Sequence, residues 1–556
     1  MNFKKNESDI KLRGGYYTPE DVSKFLVRWV LQKKPKSILE PSCGDGSFIR
    51  ALKGQHRHRI YLTGVELNKA EAKKAACSSL ENNQLNVSIK NEDFLALALR
   101  EIEAGIEYEA VLGNPPYIRY QYLEPTDQRL SENIFSRHNL PFTKHTNAWV
   151  PFVIASIDLL TPGGRLAMVI PSELLHVLHA NSLRKYLLDE CDRVLMLDPN
   201  ELLFDQVLQG TVLLMVEKKK KQTDASKGVA VTSVLAKEFL EQDPGDFFET
   251  APYVSGDVLN GKWMKVLLEP EELRVFEKVQ NMPSIKKFRD VAEVDVGIVT
   301  GANKFFLVNS ETVRQYGLSK YVLPMFGRSE HCPGVVYNKK THNSNVKQGL
   351  PSNFVLFDNV SVDKLPKSVQ AYIKMGEDQD LHKRYKCRIR KPWYVVPSVY
   401  NTPVGMLKRS HNFPRLIFNS AGAYTTDTAY RIRATTKEVT AKQLVYSFVN
   451  SLTALTAELE GRHYGGGVLE LVPSEIEKLL IPIARVDYLD LNELDRRVRE
   501  IHSPEELLSS QDQVVLAAAG LAPKEIETLH LAWQRIRTRR HRLLVQNRKE
   551  EIGTDE

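Results

Sequence analysis

The sequence predicts an α/β chain: a doubly wound, mostly parallel sheet first, then a β-rich α+β region and a helical end. Three observations carry this. Short β-rich runs alternate with helix-length segments up to about residue 220, the pattern of βαβ units. From about 281 to 485 the segments are short, β-rich and full of turn residues, as in "DVGIVTGANKFFLV". The chain then returns to helix and ends in "LAWQRIRTRRHRLLVQNRKEE", where Trp533, Ile536 and Leu543 or Leu544 share a face that arginines surround, the arrangement of a solvated helix face. At 556 residues the chain exceeds one core. Domains are expected over 1–228, 281–485 and 486–556, with 229–280 as a connecting segment after the lysine run "KKKKQTDASKG".

The first element is a helix. In "TPEDVSKFLVRWVLQKK", Thr18 reads as N-cap, Pro19 as the first helical residue and Asp21 as capping-box partner, before Val22, Phe25, Leu26, Trp29 and Val30 at helical spacing. Seven strand runs follow: "SILEP" (37–41), "IYLTGVE" (60–66), "NVSIK" (86–90), "EAVLG" (109–113), "RLAMVIP" (165–171), "RVLMLD" (193–198) and "GTVLLMVEK" (210–218). The last two lie only eleven residues apart. A parallel crossover needs about a dozen or more, so this pair is expected to be antiparallel.

Composition narrows the function. A hydrophobic fraction of 42% with 26% charged residues fits a soluble globular chain. No apolar run approaches the ~18 residues of a membrane helix, and "MNFKKNESDIKLRGG" lacks the apolar core of a signal peptide, so a cytoplasmic protein without a membrane partner is expected. Cys43, Cys77, Cys191, Cys332 and Cys387 stand far apart, and "ELLHVLH", with Glu173, His176 and His179, matches no metal pattern, so neither disulfide nor metal is expected. A net charge of +7 permits a polyanionic partner without requiring one.

"ILEPSCGDGSFIRAL" (38–52) is a strand, a glycine turn and a helix, which lets a ligand approach the backbone at Gly44 and Gly46. Glu40 stands where a pyrophosphate would pass and would repel it. A cationic, phosphate-free ligand fits better, and S-adenosylmethionine is one. Glu66 ends the next strand, where an acid accepts ribose hydroxyls, and Asp93 with Phe94 ends the third, offering an acceptor and a ring to an adenine. After the fourth strand comes Asn114-Pro115-Pro116-Tyr117. The prolines stiffen the exit from the strand. The Asn114 side-chain oxygen and the Pro115 carbonyl are two acceptors for the hydrogens of an aromatic amino group, whose lone pair they would draw toward a methyl donor, while Tyr117 stacks on the base.

In "RYKCRIRKPWYVVPSVY" (384–400), alternation along a strand would put Arg384, Lys386, Arg388, Arg390 and Lys391 on one face, within reach of DNA phosphates, with aromatic neighbours packing on the other. A solvated edge strand reads equally from the same residues.

The succession "GGYYTPEDVSKFLV", "ILEPSCGDGSF", "TGVELN", "NEDFLAL", "GNPPYIRY", "NAWVPFVIASIDLLTPGGRLAMVIP" and "LLFDQVLQGTVLLMVEK" resembles the gamma class, or TaqI type, of DNA adenine amino-methyltransferases from restriction-modification systems. The resemblance spans about 14–218 and rests most on motif order, because the stretch from Phe48 to Tyr117 is too short to hold an inserted recognition domain. It implies a seven-stranded Rossmann-like class I methyltransferase domain, a β-rich α+β target-recognition domain and a helical C-terminal tail. It adds Thr18 and Phe152 as cofactor contacts and Phe204 as a second stacking wall opposite Tyr117. S-adenosylmethionine is then the cofactor and double-stranded DNA the partner of a monomer, with any cognate restriction endonuclease a separate chain. Methyltransferases of RNA bases or protein glutamine share Asn-Pro-Pro-Tyr, and a catalytically silent DNA-binding module is the remaining alternative.

Overall fold

In the computed structural model, residues 17–553 are described apart from 79–83, 200–209, 235–236, 358, 437–438, 465 and 484–489. Two compact units emerge, one comprising the chain up to Leu267 together with the stretch from His541 on, and one spanning Leu268–Arg540. In the first, α1 (Glu20–Leu31), β1 (Ser37–Glu40), α2 (Ser47–Leu52), β2 (Ile60–Val65), α3 (Lys69–Ser78), β3 (Leu85–Lys90), α4 (Phe94–Glu103) and β4 (Tyr108–Gly113) alternate as expected. Then come α5 (Pro125–Arg137), α6 (Trp149–Asp158), β5 (Leu160–Pro171), α7 (Asn181–Glu190), β6 (Cys191–Pro199), β7 (Thr211–Lys218) and β8 (Gly228–Val234).

These strands form one sheet in the order β3-β2-β1-β4-β5-β7-β6-β8. Within it β7 runs antiparallel to both β5 and β6, as the short connection requires. Among the described residues the sheet has eight strands, one more than expected. The eighth, "GVAVTSV", pairs parallel to β6, and Val229 exchanges backbone hydrogen bonds with Val254 at 2.9 Å in each direction. The expected connecting segment over 229–280 therefore opens with sheet. The lysine run before it is a solvated turn between two strands, which composition alone does not separate from a domain boundary.

The helix α1 buries Val22, Phe25, Leu26, Trp29 and Val30 in a core shared with Ile38, Ala110, Leu112, Ala167 and Val169 of the sheet. Arg165 on β5 fastens the two layers: Nη1 donates to Trp29 O at 2.7 Å and the guanidinium lies 4.5 Å from the Trp29 ring. The start of α1 departs from expectation. Pro19 occupies the N-cap position without a side-chain cap, and Asp21 Oδ1 accepts from the next amide, Val22 N–H, at 2.8 Å. The Thr18 hydroxyl is engaged elsewhere, at Asn114.

The second unit is α+β. Among the described residues it contains five-, four-, three- and two-stranded sheets with helices among them, and closes on helices Leu491–Arg499 and Pro504–Ala518 and on the part of helix Pro523–Gly553 that runs to Arg540. Trp533 and Ile536 are buried on one face of the last helix. Its arginines, however, are not simply solvated: Arg535 reaches Glu272, Arg537 reaches Glu505, and Arg540 is buried against Glu458. The last pair is bidentate, with Arg540 Nε at 2.9 Å and Nη2 at 2.7 Å from the two carboxylate oxygens. Burial alone would raise the Glu458 carboxyl, but the Arg540 charge and the hydrogen bonds from Arg540 and His463 outweigh it and hold the pKa at about 2.

Removing one partner strands a buried charge, so Arg540→Leu is expected to cost ~3–5 kcal/mol in denaturant unfolding. Because the Glu458 pKa is depressed in the fold, its contribution is complete above the ordinary glutamate value and is lost as pH falls from there through about 2. Melting temperatures over that acid range should converge between Arg540→Leu and the parent.

Candidate active site

The strand order turns at β1 and β4, which pair with each other while their outer neighbours are β2 and β5. Crossovers leave such neighbours toward opposite faces of the sheet, so a crevice opens outside their carboxyl ends. Four successive strands, β3, β2, β1 and β4, each deliver one sequence-expected residue there: Asp93, Glu66, Glu40 and Asn114.

Glu40 is 1% exposed, and its Oε2 meets no hydrogen-bond partner among the described residues. Burial, reinforced by the negative charge of Asp45, raises its carboxyl well above the usual range. Glu66 accepts from Gly44 N–H at 3.0 Å through Oε2 and from Asn68 N–H at 2.7 Å through Oε1. Burial outweighs these bonds and raises its carboxyl as well. The turn that offers Gly44 N–H needs φ of 50° at Gly44 and 87° at Gly46, which glycine adopts without the Cβ clash. Asp93 caps α4, accepting from Ala96 N–H at 2.8 Å, and burial raises its carboxyl too. Beside it the Phe94 ring lies 5.0 Å from that of Phe152 on α6, making an aromatic wall.

None of Glu40, Glu66 and Asp93 makes a salt bridge among the described residues. Crowded, partly desolvated carboxyl groups repel an anion and are relieved by a cation or by hydroxyl and amino donors. The unpartnered Glu40 Oε2 is the clearest sign of a missing donor. The set thus suits a ligand that carries a positive charge or hydrogen-bond donors.

On the other side of the turning point the Asn114–Tyr117 loop and the residue after it are tied to their surroundings. Asn114 Nδ2 donates to Thr18 Oγ1 at 3.3 Å, and Ser42 Oγ donates to Asn114 O at 2.9 Å. The Tyr117 hydroxyl donates to Val169 O at 3.0 Å, and Ala148 N–H donates to Ile118 O at 2.9 Å. The first bond turns the amide nitrogen toward Thr18. Pro115 is buried and Pro116 half-buried, and neither has an amide to satisfy. Ser42, Val169 and Ala148 escape sequence reasoning, two of them because they act through backbone atoms that no side-chain pattern reveals. Phe204 lies outside the described residues.

The basic stretch belongs to the second unit and is not a strand. Tyr385–Arg388 forms a single helical turn. Cys387 is buried beneath it, and Arg390 spends its guanidinium on the carbonyls of Thr300 and Val299 at 2.8 and 2.5 Å. These anchors fold the stretch back on loop 299–301, which an extended conformation would not allow. Arg384, Lys386, Arg388 and Lys391 remain exposed, whereas Arg390 is a structural fastening.

Residues 2–242 match the family described as N-6 DNA Methylase, and residues 260–516 match the C-terminal domain of Type II methyltransferase M.Eco57I. The chain is 24% identical over 503 residues to Type II methyltransferase M.AccI of Acinetobacter calcoaceticus, covering 87% of each. It is 21% identical to Type II methyltransferase M.XamI of Xanthomonas campestris pv. amaranthicola over 84% of this chain and 85% of that protein. Its fold is similar to that of the Type IIL restriction-modification enzyme MmeI, solved in complex with DNA, with TM-score 0.58 and 14% identity over 96% of this chain and 80% of the other.

The raised Glu40 carboxyl has a thermodynamic consequence in the ligand-free protein. Its burial costs nothing while it is protonated, below the ordinary glutamate value, and destabilises increasingly as pH rises from there through the raised folded pKa. Glu40→Gln, which removes the charge and keeps the shape, is expected to raise the melting temperature at pH 8, by ~2–4 °C for each kcal/mol relieved, and to leave it unchanged near pH 4. Calorimetric scans at both pH values check this.

Proposed function

We propose, from the premise that this chain is an adenine-specific DNA methyltransferase, that it is a gamma-class enzyme of a restriction-modification system. It methylates the exocyclic amino group of an adenine turned out of duplex DNA. The observation that carries the reading is the adjacency of three carboxyl groups without ion-pair partners to the tied Asn114-Pro115-Pro116-Tyr117 loop, at adjoining strand ends.

S-adenosylmethionine supplies an electrophilic methyl group on a sulfonium centre, and the residues present fit it. Glu40 would offer its oxygen to the ammonium, Glu66 would accept from the ribose hydroxyls, and Asp93 would accept from the adenine amine beside the wall of Phe94 and Phe152. Gly44 and Gly46 leave room for close approach, and Thr18 lines the edge nearest Asn114.

The amino nitrogen of the target adenine is a weak nucleophile because its lone pair is delocalised into the ring. Asn114 Oδ1 and Pro115 O accept its two hydrogens and localise that pair. The Thr18 bond holds the Asn114 side chain and the Ser42 bond its backbone carbonyl beforehand, so little reorganisation of Asn114 is left for the reaction. Tyr117 stacks on the extruded base, its ring steadied by the bond to Val169 O, and Phe204 covers the other face. The second unit selects the DNA sequence. The enzyme works as a monomer in the cytoplasm, any cognate endonuclease being a separate chain.

Asn114→Ala should lower single-turnover methyl transfer by about 10²–10³-fold while cofactor affinity in calorimetry is kept, and wild-type turnover in that variant would remove Asn114 from the reaction. Glu66→Ala should show the reverse pattern, a loss of cofactor affinity first. Phe204→Ala should retain the parent's melting temperature and change the emission of a fluorescent adenine analogue at the target position. A loss of ~3–5 kcal/mol in stability with unchanged emission would make Phe204 a core residue instead.

A further inference from the structure

The helical turn Tyr385–Arg388 has one fastened side and one bare side. Beneath it, Cys387 Sγ lies 3.8 Å from Thr300 O, and the two Arg390 bonds hold Thr300 and Val299. Gly301 sits at φ 79°, where a Cβ would come within 2.7 Å of Lys386 Cβ. Loop 299–301 is a fitted seat, and the turn is presented as a rigid element.

On the bare side Tyr385 is 63% exposed and Ile389 60% exposed. Four residues apart, they project together. The cationic groups of Lys386 and Arg388 stand 5.6 and 5.7 Å from the Tyr385 ring centroid. Arg388 and Lys391 continue into an adjoining concavity of about 660 Å³ whose floor includes Trp393 and His382. The nearby acids are already engaged: Asp380 with Lys383 at 2.9 Å, Asp378 with Lys374 at 2.7 Å, and Glu377 with Trp393 Nε1 at 3.1 Å.

A pair of apolar side chains shouldered by cations matches the cross-section of a DNA groove, where base and sugar edges lie between two phosphate rails. Had the stretch been a strand, cations and aromatic groups would have faced opposite ways. The helical turn puts both on one surface. We infer that this turn is a duplex-DNA contact in which Tyr385 and Ile389 press on base edges while Arg384, Lys386, Arg388 and Lys391 hold the flanking phosphates. The inference rests on the reading of duplex DNA as substrate and adds to it a site that reads sequence.

The test uses the full chain and two labelled duplexes. One carries the site found by sequencing modified plasmid DNA from cells that express the protein; the other has the same composition without it. Tyr385→Ala with Ile389→Ala should reduce the preference for the first duplex at least tenfold and leave the salt dependence of binding unchanged. Arg384→Ala with Lys386→Ala and Arg388→Ala should weaken both duplexes alike and flatten the slope of log affinity against log salt by about 2–3. Both variants should melt with the parent, since the side chains are exposed. Wild-type preference in the apolar variant, or a wild-type slope in the cationic one, overturns the inference. A parent chain that binds and methylates no duplex brings down the DNA reading and this inference with it, whereas a parent that methylates while the variants match it brings down the inference alone.

Discussion

Side chains that leave β1 and β4 at their carboxyl ends take the centre of the crevice where the strand order turns, and the contents of the site follow from that constraint. Glu40 and Asn114 take the two central places. Glu66 and Asp93 extend the row on one side, while on the other β5 lends a carbonyl, Val169 O, to fix Tyr117. The row has one acid at each of three neighbouring ends because each strand supplies one end, and the amide comes next for the same reason. Thr18 and Ser42 then bind the two halves, since both reach the Asn114 residue from segments that flank β1.

The chain buries charge in two opposite ways. Arg540 and Glu458 satisfy each other in the second unit, and removing either leaves the other exposed to a low dielectric. Glu40 has no such partner among the described residues, and the desolvation of its Oε2 is uncompensated by any of them. The first arrangement holds a fold together. The second stores an unfavourable interaction at a place where a ligand can relieve it, and the surrounding core of α1 and the sheet, fastened by Arg165 under Trp29, keeps the position despite that cost.

Much of this was legible in the residues. The helical face of α1, the strand runs and the antiparallel β7 follow from periodicity and spacing, and the four site positions follow from strand ends. The failures have physical causes. Thr18 has the chemistry of a cap, but a partner ninety-six residues away takes its hydroxyl. β8 hides behind lysines that solvate a turn. The stretch after Arg384 alternates like a strand, yet its anchors, Thr300 and Val299, are remote in sequence, and the same spacing places Tyr385 and Ile389 four apart on a helical turn. The groups that steady Tyr117 and Ile118 are backbone atoms, which no residue identity encodes.

The position of β7 also sets an order of assembly. It lies between β5 and β6 although it follows both in the chain. As the polypeptide leaves the ribosome, β1 to β5 are complete while the open edge of β5, through Leu166, Met168 and Ile170, has no neighbour. Chains of this size fold while being made, and an unpaired apolar edge is where they join the wrong partner. Neither β6 nor β8 closes that edge, because β6 reaches it only through β7. Until the chain has been made as far as Lys218, that edge of the sheet has no strand to pair with.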